Sequence, residues 1–373
     1  MKIIGFMTGT SLDGIDMAVL ETDGEAQVTF GPFAEKPMPS EIRSVIEAAT
    51  QAALNWPRET PEPEIFNEAR RVIVDFHHQS LLAFVTENGL NLADFDLLGV
   101  HGQTVLHERP IAGVNGRTVQ LFDGQRFADL TGVPVVSDFR SADVAAGGEG
   151  APLAPVYHRA LVEAAGVALP VVVVNLGGVA NITVITEDDL YALDTGPASG
   201  LMDQWMRQHT GKLFDENGTV AARGVAREDI VAQYLAHPYF QASAPKSLDR
   251  YDFTLKAVES LSLEEGMATL MSFTVESLRY EIEKFGFKLQ AIFLCGGGRN
   301  NTHLVKVLRQ RLSDLGPVKI AEDMGWRGGA IEAEAFAYMA ARSVRGLPIS
   351  YPKTTGVKAS LTGGILAKPS GNH

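Results

Sequence analysis

Three stretches of the chain bring glycines together with hydroxyls or carboxylates, a combination that handles phosphate groups and moves protons. The first is Thr8-Gly9-Thr10-Ser11-Leu12-Asp13-Gly14-Ile15-Asp16. Its glycines let backbone amides approach an anion, and successive amides in a turn form an anion-binding nest. Thr10 and Ser11 add hydroxyl donors, and Asp13 or Asp16 suits a Mg²⁺ ion held directly or through its waters. A hairpin turn with polar tips would use the same residues. The second is Tyr191-Ala192-Leu193-Asp194-Thr195-Gly196-Pro197-Ala198-Ser199-Gly200, with a helix expected over 201–208. A carboxylate at the end of a strand, before a glycine-rich turn that opens a helix, can serve as a general base facing a phosphate. It can equally cap the turn. The third is Leu294-Cys295-Gly296-Gly297-Gly298-Arg299-Asn300-Asn301, whose bare backbone suits a flat base or ribose. Cys295 reads as a small buried residue, not a nucleophile.

The elements that must carry these stretches alternate between strand and helix. Residues 2–7 and 15–21 read as strands around the turn at 8–14, and 170–176 and 179–186 read as strands around Gly177-Gly178. Two β-turn-β openings, one in each half, predict a duplicated fold. Residues 64–88 have helical apolar spacing, with Gly89 as a stop. A strand over 95–100 runs into a polar turn, His101-Gly102-Gln103-Thr104. Another over 133–136 empties into Ser137-Asp138-Phe139-Arg140. The small-residue stretch 145–152 reads as a hinge loop before a helix. Farther on come a strand at 291–295 and helices at 302–312 and 328–344. The pattern is that of α/β layers. It places an N-terminal lobe at 1–134, joined by the tail 350–373, and a C-terminal lobe at 135–349 carrying Asp194 and the triple-glycine loop.

Composition narrows the function classes. A chain of 373 residues has room for two domains, and its 45% hydrophobic content is that of a globular protein. A net charge of -13 without any long basic run disfavours a nucleic-acid surface. With one cysteine, no intrachain disulfide can form. The apolar run at 1–7 is too short for a signal peptide and that at 167–174 too short for a membrane span, so a soluble, cytoplasmic protein is expected. His77 and His78 point in different directions on a helix, and His101 and His107 lack partners at metal-ligand spacing, so no protein-bound zinc is expected. A dinucleotide fingerprint fails because Asn301 stands where its last glycine belongs. A P-loop fails because Leu213 follows Gly211-Lys212 and Met206 stands where the first glycine belongs.

The order of the three stretches is similar to that of the actin–hexokinase superfamily, whose two ribonuclease-H-like lobes close on ATP and Mg²⁺. Four further patterns make the likeness specific. They are Gly99-Val100-His101-Gly102-Gln103-Thr104; Ser137-Asp138-Phe139-Arg140 with Asp143 to Leu153; Asn175-Leu176-Gly177-Gly178-Val179-Ala180-Asn181; and Pro245-Lys246-Ser247 with Arg250 and Phe253. Together they resemble the anhydro-N-acetylmuramic acid kinase family over essentially the whole chain. A departure falls at Gly196-Pro197-Ala198-Ser199-Gly200, where a Gly-Pro-Gly-Asn sequence is more usual; altered detail is expected there, not lost function.

The resemblance implies an α/β protein of two ribonuclease-H-like lobes with an interlobe active-site cleft. It implies ATP-dependent opening of the 1,6-anhydro ring of 1,6-anhydro-N-acetylmuramic acid and phosphorylation of O6, in a homodimer. Carried over, Asp194 is the general base. The turn Gly9, Thr10, Ser11, Leu12, Asp13, Gly14, Ile15 and Asp16 cradles the phosphates, with Mg²⁺ arriving on ATP near Asp13. Gly196 and Gly296, Gly297 and Gly298 flank the nucleotide. His101, Gln103, Thr104, Asp138, Arg140 and Glu332 face the sugar, with Arg140 suited to its lactyl carboxylate. His101 could instead satisfy its turn, and Glu332 could be one more charge on a helix face. Another sugar kinase of the superfamily would lack the His-Gly-Gln-Thr and Asp-Phe-Arg patterns. A chaperone ATPase would need a further domain, and an actin-like filament former remains a rival that sedimentation with ATP would test.

Overall fold

Apolar alternation lays down the first sheet. In β1 (Lys2–Thr8) Ile4 and Phe6 face one way, while Ile3 and Gly5 face the other. The chain continues through β2 (Gly14–Thr22), β3 (Val28–Pro37), β4 (Leu97–Val100), β5 (Gln103–Glu108), β6 (Arg117–Leu121) and β7 (Val135–Ser137). Next come β8 (Val171–Leu176), β9 (Val179–Ile185), β10 (Leu190–Pro197), β11 (Ala291–Cys295) and β12 (Val318–Ile320), and β13 (Ile365–Ala367) comes last. The computed structural model describes residues 1–111, 113–248 and 252–371.

The chain divides into two compact units, one formed by Met1–Ala164 with Ala330–His373, the other by Ala165–Gly329. In the first, the sheet order is β13-β7-β4-β1-β2-β3. Strands β1, β2 and β3 are antiparallel, whereas β4 runs parallel to β1 and β7 parallel to β4. In the second, the order is β10-β9-β8-β11-β12, again with three antiparallel strands followed by two parallel ones. The succession β1-β2-β3-β4-β7 is thus repeated by β8-β9-β10-β11-β12. The fold is α/β and duplicated, as the paired β-turn-β openings predict, with the two ribonuclease-H-like lobes that the resemblance implies.

Each sheet is covered by helices whose apolar faces the sequence supplies. In the first unit, the helix Ile65–Glu87 buries Phe66, Ile73 and Phe84 against Ile4, Phe6 and Phe127. On the opposite face lies the helix Ile331–Val344, whose Ala-rich surface is almost wholly buried. It comes so close to β1 and β4 that a Cβ on Gly5 would stand 1.8 Å from the Ala333 carbonyl oxygen, and one on Gly99 2.3 Å from that of Phe336. In the second unit, the Val-rich β8 sits inside the sheet between β9 and β11. The helix Leu263–Glu283 opens with a capping box in which Ser262 and Glu265 exchange hydrogen bonds. Among the described residues, no helix is long and apolar enough to cross a membrane.

Several boundaries differ from the sequence reading. The first division falls at 164/165, not 134/135, and the second at 329/330, so the helix Ile331–Val344 belongs with the N-terminal unit and not with 135–349. The reason is the close fit of that helix onto Gly5 and Gly99. The polar turn expected at 101–104 is confined to His101-Gly102, because Gln103 already begins β5. Asp194 lies inside β10 at a bulge, not at its end. Replacing Gly5 by Ala is expected to lower the stability of the first unit by about 1–3 kcal/mol, the usual cost of overpacking. Calorimetry would register the drop in melting midpoint.

Candidate active site

The turn between β1 and β2 is built by its own side chains. Leu12 adopts a left-handed φ of 56°, which turns the chain and buries the side chain, and its N–H donates to the Gly9 carbonyl at 3.3 Å. One oxygen of Asp13 accepts from Ser11 Oγ at 2.7 Å and from the Gly14 amide at 3.1 Å. Thr10, Ser11 and Asp13 are exposed. A second turn is fastened beneath the first. Thr8 Oγ1 donates to the Gly102 carbonyl at 2.9 Å, and the buried Gln103 donates through Nε2 to the Gly9 carbonyl at 3.2 Å. Gln103 Oε1 is buried without a partner among the described residues. The Gly9–Asp16 turn and the His101–Gln103 turn, separate stations in the sequence, are therefore joined by two hydrogen bonds.

Arg140 is the centre of a charged group beside them. Its Nε donates to His101 Nε2 at 3.0 Å and its Nη1 to the Gly150 carbonyl at 2.7 Å. His101 packs on Phe336 with ring centres 4.7 Å apart. Burial first, and then the neighbouring guanidinium, hold the His101 pKa well below its ordinary value, so the ring is neutral and Nε2 can accept. Burial lowers Arg140 to about 10, opposed by Glu332 and Asp143, so it remains a cation at neutral pH. The loop that meets Arg140 is pinned from behind. Asp143 accepts from the Gly150 amide at 2.6 Å and from Thr355 Oγ1 at 2.5 Å, while the Glu149 amide donates to the Thr355 carbonyl at 2.6 Å. Asp138 has φ 56° and accepts from the Ser141 amide at 3.3 Å. Thr104 Oγ1 accepts from Gln120 at 3.2 Å.

Glu332 opens the helix Ile331–Val344 and acts electrostatically on both Arg140 and Asp16. Asp16 also faces Glu35 directly across β2 and β3. Burial, then Glu35, Glu332 and Asp13 in that order, raise the Asp16 pKa to about 7. Like charges opposed on a sheet are unfavourable, and a retained proton relieves them.

In the second unit, Asp194 is held by two backbone groups and one hydroxyl. Its amide donates to the Lys246 carbonyl at 3.0 Å, its carbonyl accepts from Tyr239 OH at 2.6 Å, and its carboxylate Oδ2 accepts from the Leu248 amide at 2.7 Å. The strand order makes β10 an edge, and residue 246 supplies the hydrogen bond that a further strand would have made there. The bulge between Asp194 and Gly196 bends the strand into the helix Ser199–Thr210. There Ser199 bonds the Gly177 carbonyl through both its amide and its hydroxyl, at 3.0 and 3.1 Å. The divergent Ala198-Ser199-Gly200 turn is thus tied to the Gly177-Gly178 turn. Gly296, at φ 76°, passes so close to Asn175 that a Cβ would lie 2.2 Å from Asn175 Oδ1, whereas space beside Gly297 is open. Arg299 bonds back to the Gly296 carbonyl at 2.8 Å and to Glu322 at 2.9 Å.

The structure therefore groups Gly9–Asp16, His101, Gln103, Thr104, Asp138, Arg140 and Glu332 in the first unit. Asp194, Gly196 and Gly296–Gly298 fall in the second. Arg250 lies outside the described residues. Sequence reading passes over Glu35, Thr355, Tyr239 and Glu281. Only Glu35 had a readable signal, an acidic residue on an alternating strand. The others contribute through contacts distant in sequence.

The raised pKa of Asp16 has a definite sign for stability. Between its unfolded value, near 3.8, and its folded value, about 7, the folded chain holds a proton that the unfolded chain has lost, so stability falls as pH rises through this window. Asp16→Asn is therefore expected to melt higher than the wild type at pH 8, with the advantage shrinking towards pH 4. Melting curves across that range would show it.

Known proteins match this chain end to end. The family model described as anhydro-N-acetylmuramic acid kinase matches residues 1–368. A relative of that name from Caulobacter vibrioides is 54% identical over 367 residues, covering 98% of this chain and 98% of that protein. One from Phenylobacterium zucineum is 53% identical over 370 residues, covering 99% of this chain and 100% of that protein. Another, from Brucella anthropi, is 45% identical over 366 residues, covering 97% and 98%. On matches of this extent, the chain belongs to the anhydro-N-acetylmuramic acid kinase family.

Proposed function

We propose that the chain is an ATP-dependent kinase that hydrolytically opens the 1,6-anhydro ring of 1,6-anhydro-N-acetylmuramic acid and phosphorylates O6. The products are N-acetylmuramic acid 6-phosphate and ADP, and the setting is peptidoglycan recycling. The observation that carries the mechanism is Asp194, a carboxylate fixed at a strand bulge by the Leu248 amide in a chain that matches the family over its length. Asp194 takes a proton from a water whose oxygen attacks the anomeric carbon. As that bond forms, the C1–O6 bond breaks. O6 bonds the γ-phosphorus of ATP while the bond from that phosphorus to the β–γ bridging oxygen breaks, and ADP leaves. Asp194 then returns its proton to solvent.

The remaining side chains bind and orient. Arg140, cationic at neutral pH, pairs with the lactyl carboxylate. His101, Gln103, Thr104, Asp138 and Glu332 meet the hydroxyl and acetamido groups. The unpartnered Gln103 Oε1 supports a donor-bearing ligand there, because a buried acceptor without a partner is costly. The turn Gly9–Asp16 offers its amides and hydroxyls to the phosphates, and Gly196 and Gly296–Gly298 take the nucleotide. Among the described residues no three His, Cys, Asp or Glu side chains are grouped to hold a metal. This donor set fits a Mg²⁺ ion that keeps phosphate oxygens and waters and uses Asp13 or Asp16 as its protein anchor. Such an ion would neutralise charge on the transferred phosphoryl group. The same reading makes the enzyme a cytoplasmic homodimer, as the family resemblance implies, acting on a small amino sugar and on neither nucleic acid nor membrane.

The test is ADP release from Mg·ATP with 1,6-anhydro-N-acetylmuramic acid, with glucose and with no sugar. Release is expected only with the anhydro sugar and is lost in Asp194→Asn; release without preference, or unchanged in the variant, sinks the reading. Arg140→Ala is expected to raise the sugar KM about 10–100-fold, the scale of a lost charge-assisted pair, with the ATP KM unchanged. Initial rates against each substrate in turn would separate the two.

A further inference from the structure

The three hydrogen bonds around Asp194 lead outward to a buried ion pair. Lys246 and Glu281 are 8% and 1% exposed, and their charged atoms stand 2.8 Å apart. Lys246 Nζ also donates to the Tyr239 carbonyl at 2.9 Å and lies over the Tyr239 ring, 4.3 Å from its centre. Lys284 adds a second cation to Glu281 at 2.9 Å and donates to the Phe240 carbonyl at 2.6 Å. Glu281 stands on the helix Leu263–Glu283, rigidly packed in the core of this unit. The residues it anchors are those that clasp the base: residue 246 through its carbonyl, Tyr239 through its hydroxyl, and Leu248, two residues on, through its amide.

We propose that Lys246 and Glu281 are positioning residues for the base, their ion pair fixing to the core the segment that orients the Asp194 carboxylate. The inference rests on the reading of Asp194 as general base. A buried ion pair is a poor source of net stability, since two well-packed apolar side chains often do as well, so its presence beside this carboxylate calls for another use. Orientation is such a use. A base is effective only within hydrogen-bond reach of the water it deprotonates, and a misplacement of about 1 Å can cost about 100-fold in rate. Segment 246–248 has no strand of its own to hold it against β10. The ammonium reaches both Glu281 and the Tyr239 carbonyl, and so joins the two segments whose groups bond Asp194 to one point on the helix.

The experiment compares wild type, Lys246→Met, Lys246→Met/Glu281→Met and Asp194→Asn in the full chain. ADP release with the anhydro sugar and Mg·ATP gives kcat and both KM values, and melting midpoints report folding. Lys246→Met leaves Glu281 buried with half of its pairing and is expected to melt lower. The double variant leaves neither charge buried and is expected to melt near the wild type. Both are expected to lose about 10–100-fold in kcat with the ATP KM unchanged, a split that instability alone does not produce. A folded double variant with wild-type kcat overturns the proposal, as does a loss that merely follows the unfolded fraction. If Asp194→Asn is inactive in that case, only the positioning role falls. If Asp194→Asn is fully active, the reading of the base falls and the positioning role with it.

Discussion

The close seating of the helix Ile331–Val344 on the backbone of β1 and β4 sets the geometry of the first unit. Gly5 and Gly99 leave no side chain between helix and sheet, so the carbonyls of Ala333 and Phe336 approach strand backbone directly. From that position Phe336 meets the His101 ring and Glu332 acts on both Arg140 and Asp16. Moving the helix outward by the thickness of one methyl group would take Glu332 and Phe336 with it. Buried charge makes such a shift expensive, because Arg140 depends on nearby carboxylates to offset its lost hydration. A packing constraint and an electrostatic one thus coincide in a few ångströms.

The second unit solves a related problem with different means. Its equivalent of β3 is β10, a sheet edge, and an edge strand lacks one row of hydrogen-bond partners. The chain supplies the Tyr239 hydroxyl, the Lys246 carbonyl and the Leu248 amide in place of a further strand. These bonds close the edge beside the bulge, where Asp194 still pairs with Asn181 and Thr195 falls out of register. The same strand order therefore presents a turn rich in donors in one unit and a fixed acidic side chain in the other.

How much of this was legible in the sequence depends on how local each cause is. Strand periodicity in residues 2–21 and 170–186, and the glycines that turn them, lie within a few residues of their effects, and the strands appear within a residue or two of their expected positions. The His101 turn and Arg140 were singled out as separate patterns; their hydrogen bond spans 39 positions and no local rule connects them. Asp194 was recognisable as a carboxylate near a glycine turn, but its bulge and its Leu248 partner depend on a segment 54 residues away. Gly5 illustrates the limit most plainly. In sequence it is a weak spot in a strand, and only Ala333, far along the chain, gives it a reason. The helix that covers Gly5 falls with the first unit for the same reason, a contact that no local rule announces.

The discontinuous make-up of the first unit also fixes an order of events during synthesis. Residues 165–329 form a contiguous unit, and the whole of its sequence is present once that stretch has left the ribosome. The earlier-made residues 1–164 must wait longer, because the helix that covers β1 and β4 and the strand β13 that pairs with β7 are translated last. Until then one face of the remaining five strands stays uncovered, exposing apolar surface of the kind that chaperones bind. Residues 1–164 are therefore made before residues 165–329 and completed after them.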